Sequence, residues 1–183
     1  FDIIPGHPKL ALLEDKFSSA WLSFEGGDFA GARQTNWIRQ LQEQVEDCYD
    51  IVFFDVGPSL GALNRTVLIG TDFFVTPLSC DIFSIAGLEN ISEWFKQWMG
   101  SYESGLANCR KKEWGGDLDE YPIQTSKESM ARFIGYTVQQ YITKIRHGER
   151  RPTIAYENIR RKIPGAVDRS VQAYIRPNLK SSF

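Results

Sequence analysis

A mostly parallel α/β sheet with helices on both faces is the fold this sequence predicts, and three observations predict it. Apolar segments of strand length recur at Ile51–Phe54, Phe73–Thr76 and Phe133–Val138. Between them lie stretches with apolar residues at helical spacing, so strands and helices alternate along the chain. The strands at Ile51 and Phe73 are apolar at consecutive positions, which suits burial on both faces and not a sheet with one wet face.

The elements follow in order. Phe1 to Ile4 reads as a short buried strand closed by Pro5-Gly6. Leu12, Leu13, Phe17 and Trp21 mark a helix between Leu10 and Trp21, and "FEGGDFAGA" reads as a loop. Thr35 is placed to cap a helix in which Trp37, Leu41 and Val45 share a face. After the Ile51 strand comes a short helix, Leu63 to Gly70, then the Phe73 strand ended by Pro77. Ser84 is placed to cap a helix striped by Ile85, Leu88, Ile91 and Phe95. From Ser101 the pattern weakens, and residues 101–129, which include "KKEWGGDLDEYP", read as a surface insertion. The Phe133 strand surrounds Gly135, and a helix is predicted from Pro152 to Ile163-Pro164.

Composition sets the bounds. The 183 residues suffice for a single α/β domain spanning 1–183. A net charge of −2 gives no nucleic-acid signal for the chain as a whole. Three cysteines, Cys48, Cys80 and Cys109, at wide spacings argue against a disulfide framework or a zinc site and suit a reducing, cytoplasmic setting. No run is apolar enough to span a membrane, so no membrane partner is expected. Methionine occurs only at Met99 and Met130, and the chain opens directly on a strand-like segment, so it reads as a piece of a longer protein.

The stretch "YDIVFFDVGPSLG", Tyr49 to Gly61, carries the chemistry. In an open parallel sheet ligands sit beyond the carboxyl ends of the strands, and Asp55 stands at such an end. A carboxylate there suits a hydrated Mg2+, which keeps most of its waters. Gly57, Pro58 and Gly61 shape the following loop so that backbone N–H groups face an anion near the helix start. The plainer reading is that Asp55 caps a turn that Gly-Pro makes tight. Ser59 lacks a G-x-S-x-G elbow, and His7 and His147 have no supporting pattern, so a hydrolase triad is not expected. Cys80 reads as a buried small thiol. Trp94, Trp98 and Trp114 gather around the end of the Ser84 helix, as a partner surface or as ordinary packing.

"YDIVFFDVGPSLGALNRTVLIGTDFFVTPLSCDIFSIAGL" resembles the central segment of the ParA/MinD/Soj family of deviant Walker-type ATPases. The matching parts are Asp55 to Gly61, Asn64, Phe73 to Pro77 and Ser84 to Leu88, in the form of a ParA-like subgroup with D-V-G-P. "LALLEDKFSSAW" and "GYTVQQY…AYENIRRKIPG" resemble that subgroup as well. The resemblance implies a P-loop NTPase-like fold, ATP or ADP with Mg2+, and a homodimer formed over ATP. It implies that Asp55 serves the metal through water, that Gly57, Pro58, Ser59 and Gly61 lie toward the phosphates, and that Pro77 and Gln139 border the base. Gln140 is as good a candidate as Gln139, because one sequence leaves the register open. The family's phosphate loop has no counterpart here. The expectation is a domain incomplete at its amino end, by about a hundred residues, and without ATPase activity alone.

Charge is uneven. From Lys144 to Lys180 there are ten Lys/Arg against three acids, a net +7, leaving −9 elsewhere. Such a segment binds phosphate backbones without reading sequence, or is a solvated face. The functional expectation is therefore part of a ParA-like ATP-driven switch that positions DNA or protein cargo, with an unidentified protein partner. The alternatives are a non-enzymatic scaffold of the same fold, and a non-specific DNA-binding domain.

Overall fold

The computed structural model describes all residues except 58, 113–116, 127–129, 140–142, 147–148 and 175–183. In order the elements are α1 (Glu14–Glu25), α2 (Phe29–Thr35), α3 (Trp37–Val45), α4 (Ala62–Gly70), β1 (Phe73–Ser79), α5 (Ile82–Lys111), α6 (Asp117–Glu120), β2 (Arg132–Gln139), β3 (Thr143–Arg146), β4 (Glu149–Pro152), α7 (Ile154–Arg160) and α8 (Ile163–Val171). A 3-10 segment, Pro8–Leu13, leads into α1. The chain divides into two compact units, one of residues 1–71 and 97–130 and the other of 72–96 and 131–183. Among the described residues no helix is long and apolar enough to cross a membrane.

The first unit is helical. Gly27, with φ +79°, ends α1: its N–H bonds the Phe24 carbonyl at 2.8 Å and the Asp28 N–H bonds that of Ser23 at 3.0 Å. The Asp28 carboxylate then accepts from the Gly31 N–H and opens α2. The expected "FEGGDFAGA" loop is therefore only a two-glycine turn between helices. Phe24 is fully buried, and its neighbours must be small. A Cβ on Gly31 would stand 2.6 Å from the Phe24 nitrogen, and one on Gly105 would stand 2.7 Å from its ring. The rings of Phe24 and Tyr102 lie 4.9 Å apart, with Trp21 beside both.

Asn36, fully buried, begins α3. Its Oδ1 accepts from the Tyr102 hydroxyl and from the Gln124 N–H, each at 2.9 Å, while its Nδ2 donates to the Ala32 carbonyl. Thr35, expected as the cap, closes α2 and is buried instead. Residues 101–111 continue α5 and bury Tyr102, Leu106 and Cys109; Leu118 and Ile123 are buried too. The polar composition of 101–129 thus conceals an apolar stripe that packs into the core. Trp98 is buried, and the Arg65 guanidinium stacks on both Trp98 and Trp21, at 4.6 and 4.7 Å. Burial pushes the Arg65 pKa down. Trp114 lies outside the described residues.

In the second unit β1 and β2 run parallel, paired from Phe73↔Arg132 to Ser79↔Gln139 with an irregularity at Phe74/Val75. Phe74 and Leu78 of β1 and Phe133 of β2 turn one face toward Leu88 of α5 and Ile163, Val167 and Val171 of α8. Phe73 and Val75, on the other face, stay 42% and 51% exposed. Within this unit α5 and α8 thus pack on the Leu78–Phe133 face of the parallel pair. Asp81, not Ser84, caps α5, since its carboxylate accepts from the Ser84 N–H at 2.7 Å. Pro77 lies inside β1 and does not end it. Thr153 caps α7, which stops at Arg160. Cys80 is half-buried against this core.

The expected strands Phe1–Ile4 and Ile51–Phe54 are not strands. Both are irregular, and Ile4 and Phe53 are 84% and 89% exposed. A strand needs a neighbour for its backbone N–H and C=O groups, and neither segment pairs with another strand among the described residues.

Two outcomes are expected. Asn36→Ala strands the Tyr102 hydroxyl and the Gln124 N–H, so urea unfolding should show a loss of about 2–4 kcal/mol. Burial also raises the Tyr102 pKa above its ordinary value near 10. The unfolded chain then gives up that proton at a lower pH than the folded one. Stability from this source is complete below about pH 10 and falls as the pH rises above it. Tyr102→Phe should flatten that alkaline decline in a pH series of unfolding measurements.

Candidate functional site

The loop Asp55–Gly61 lies in the first unit and leads directly into α4. Asn64, almost fully buried in the first turn of α4, folds back over it. Its Nδ2 donates to the Gly57 carbonyl at 2.6 Å and to the Ser59 carbonyl at 2.7 Å. Within the loop the Ser59 N–H donates to the Gly57 carbonyl at 2.8 Å, and the Ser59 Oγ accepts from the Gly61 N–H at 3.3 Å. Four groups of a tight turn are thus satisfied within the chain. Pro58 lies outside the described residues.

Asp55 heads the loop with an exposed side chain. Among the described residues no group of three His, Cys, Asp or Glu stands ready to hold a metal ion. A cation at Asp55 would take its remaining ligands from water and phosphate oxygens, which is how Mg2+ is commonly held. One open carboxylate fits that role.

The amino end of α4 has an unexpected occupant. Gly61, its N-cap, offers no side chain. The Glu14 carboxylate of α1 accepts from the N–H of Ala62 through Oε1 and from that of Leu63, at 3.1 Å, through Oε2. These are the N–H groups expected to face an anion near the helix start, and the anion they face belongs to the chain itself.

The two base-side candidates lie in the second unit. Pro77 sits in β1 opposite Thr137, and Gln139, exposed, ends β2 opposite Ser79. Parallel pairing brings Ser79 and Gln139 together at the carboxyl end of both strands. Gln140 lies outside the described residues. A cavity of about 360 Å³ between α1 and α2 is lined by Asp15, Lys16, Ser23 and Asp28, and one of about 260 Å³ in the second unit by Tyr136, Tyr156 and Arg160. Neither includes a candidate residue.

The basic segment is only partly a cluster. Glu157 accepts from Arg160 at 3.0 Å and from Arg161 at 3.3 Å. Those bonds hold the Glu157 carboxyl below its usual range. In the β3–β4 hairpin Lys144 stands opposite Arg151, Ile145 opposite Arg150 and Arg146 opposite Glu149. Arg176 and Lys180 lie outside the described residues.

Sequence reasoning missed Glu14. An acid at the start of a helix is an ordinary dipole partner, and its real bond is made 48 residues away. Asn64 was visible within the motif, but its grip on two loop carbonyls was not.

A family model described as an AAA domain matches residues 1–107. Over 92 residues the chain is 34% identical to the virulence plasmid ParA family protein pGP5-D of Chlamydia psittaci, covering 50% of this chain and 31% of that protein. It is 27% identical over 71 residues to the chromosome-partitioning ATPase Soj of Treponema pallidum, covering 39% of this chain and 28% of that protein. The crystal structure of protein DIP2308 from Corynebacterium diphtheriae superposes with a TM-score of 0.77 at 32% identity, over 96% of this chain and 56% of that one. The chain thus spans about a third of these two relatives and just over half of that structure. With an AAA-domain match over more than half its length, a P-loop NTPase-like α/β neighbour and ParA and Soj relatives, the chain belongs to the ParA/MinD/Soj-type family.

Proposed function

We propose that this chain is the carboxyl-terminal part of a ParA-type ATP-binding switch, whose phosphate loop belongs to a longer polypeptide. The observation that carries the reading is the Asp55–Gly61 loop, an exposed carboxylate followed by a turn locked by Asn64. The exposed apolar residues of Phe1–Ile4 and Ile51–Phe54 support it, because they are strand-like and have no strand partner among the described residues. The Tyr49 hydroxyl donates to the Asp2 carboxylate and ties the two segments together. Added strands of the same polypeptide would bury them.

In this reading bound ATP–Mg2+ supplies the phosphoryl group whose loss throws the switch. Were ATP–Mg2+ bound, Asp55 would hold the metal through a water, the Gly57–Gly61 turn would place Asp55 relative to α4, and Pro77 and Gln139 would border the base. Two subunits close over the nucleotide, and the switch serves the positioning of DNA or protein cargo. In the natural polypeptide Asp55→Ala should lower Mg2+-dependent ATP turnover about 10- to 100-fold. Residues 1–183 alone should stay at background in the same assay. Unchanged turnover in the variant removes Asp55 from the site. Turnover by the isolated chain would place the phosphate-binding element within it. An intact polypeptide that never turns over ATP favours the scaffold reading.

A second reading, duplex binding through the basic segment, rests on the β3–β4 register. That register places Lys144 and Arg151 at opposite positions of a two-stranded ribbon, and a ribbon of basic sequence suits contact with phosphate backbones whatever their base sequence. Replacing Arg150 and Arg151 with alanine should weaken binding to unrelated duplexes alike and flatten the log–log salt dependence by about two. An unchanged salt slope would make the hairpin an ordinary surface ribbon.

A further inference from the structure

We propose that Glu14 is the positioning residue of the Asp55–Gly61 loop: its carboxylate closes the amino end of α4 from within, so α1, and not a bound phosphate, sets where the loop stands. This rests on the reading of the loop as a nucleotide–metal element, and it adds a residue that no motif of that loop contains.

Three features converge on Glu14. The first is its two-pronged bond. Both carboxylate oxygens are used, on the N–H groups of Ala62 and Leu63, where α4 has no side-chain cap of its own. The second is Gly61. Its φ of −73° and ψ of 175° suit any residue, so backbone conformation does not call for glycine there. A Cβ there would stand 2.9 Å from the Glu14 Cδ, so the Glu14 carboxylate lies directly against the Gly61 backbone. The third is the placement of the charge. Glu14 is in the first turn of α1 while it caps α4, so one carboxylate meets the positive ends of two helix dipoles.

The consequence is mechanical. Asn64 holds the loop carbonyls from one side, and Glu14 holds the helix-start N–H groups from the other. The turn that follows Asp55 is thus held at Gly57 and Ser59 by Asn64 and at Ala62 and Leu63 by Glu14. A phosphate seeking the N–H groups of Ala62 and Leu63 would have to expel Glu14.

The test has two arms. In the 183-residue chain, amide exchange at Ala62 and Leu63 should accelerate about 10-fold or more in Glu14→Ala, the loss expected of charge-assisted hydrogen bonds. Exchange within the Asn36–Tyr102 region should stay unchanged. Glu14→Gln, which keeps the shape and one strong acceptor, should restore part of the protection. Titration of the unaltered chain with inorganic phosphate should leave both amide resonances in place. Unchanged exchange in Glu14→Ala, or a saturable phosphate shift at Ala62 and Leu63, overturns the proposal. In the natural polypeptide Glu14→Gln should lower kcat for ATP with KM held within about twofold, and a loss confined to KM overturns the positioning role. Normal turnover in Asp55→Ala defeats the nucleotide reading instead, while the exchange result still decides who holds the loop.

Discussion

One buried amide organises the helical unit. Asn36 gives its carbonyl oxygen to the Tyr102 hydroxyl and the Gln124 N–H, and its amide nitrogen to the Ala32 carbonyl. Three separate stretches, the α2–α3 junction, the second half of α5 and the 121–126 segment, thus meet at one side chain. In a low-dielectric interior each of these bonds is strong when made and costly when missing, so their geometry leaves little freedom. With α3 fixed, Trp37 donates to the Thr66 hydroxyl at 2.9 Å, and Gly70 leaves room for Ile38. Those contacts seat α4, and α4 carries the loop.

The loop is therefore a tertiary object more than a local one. Gly57, Ser59 and Gly61 make the turn possible, but Asn64 and Glu14 select its shape. A helix amino end attracts negative charge, and this one is satisfied by a carboxylate from α1. That division of labour leaves Asp55 exposed at the head of the turn.

Exposed apolar surface marks where the structure expects company. Ile3, Ile4, Ile51 and Phe53 are solvent-facing, as are Phe73 and Val75 on the uncovered face of β1. Single exposed apolar residues are ordinary, but runs of them in strand-like sequence are not. The relatives extend well beyond the matched part of their own chains.

By itself the sequence determined the alternation of helix and strand, α4, the β1 and β2 strands, and the D-V-G-P-S-L-G element that identifies the family. These are carried by neighbours in the chain: apolar period, turn glycines, a fixed order of motifs. The helix caps were legible in kind but misplaced by a residue or more. Ser84 is as good at capping as Asp81, and only the path of the backbone chooses between them; at the start of α3 Asn36 takes the N-cap position but spends its side chain on Ala32, Tyr102 and Gln124. Residues 101–111 were misread because their polar face outnumbers the buried stripe of Tyr102, Leu106 and Cys109. The Ile51 segment has every local property of a buried strand and is not one here, because a strand exists only when another backbone takes its hydrogen bonds. Tertiary structure alone decided that, and it alone set Glu14 against Ala62 and Leu63. The spacing of 48 residues carries no periodicity from which such a bond could be read; it exists because α1 and α4 pack side by side.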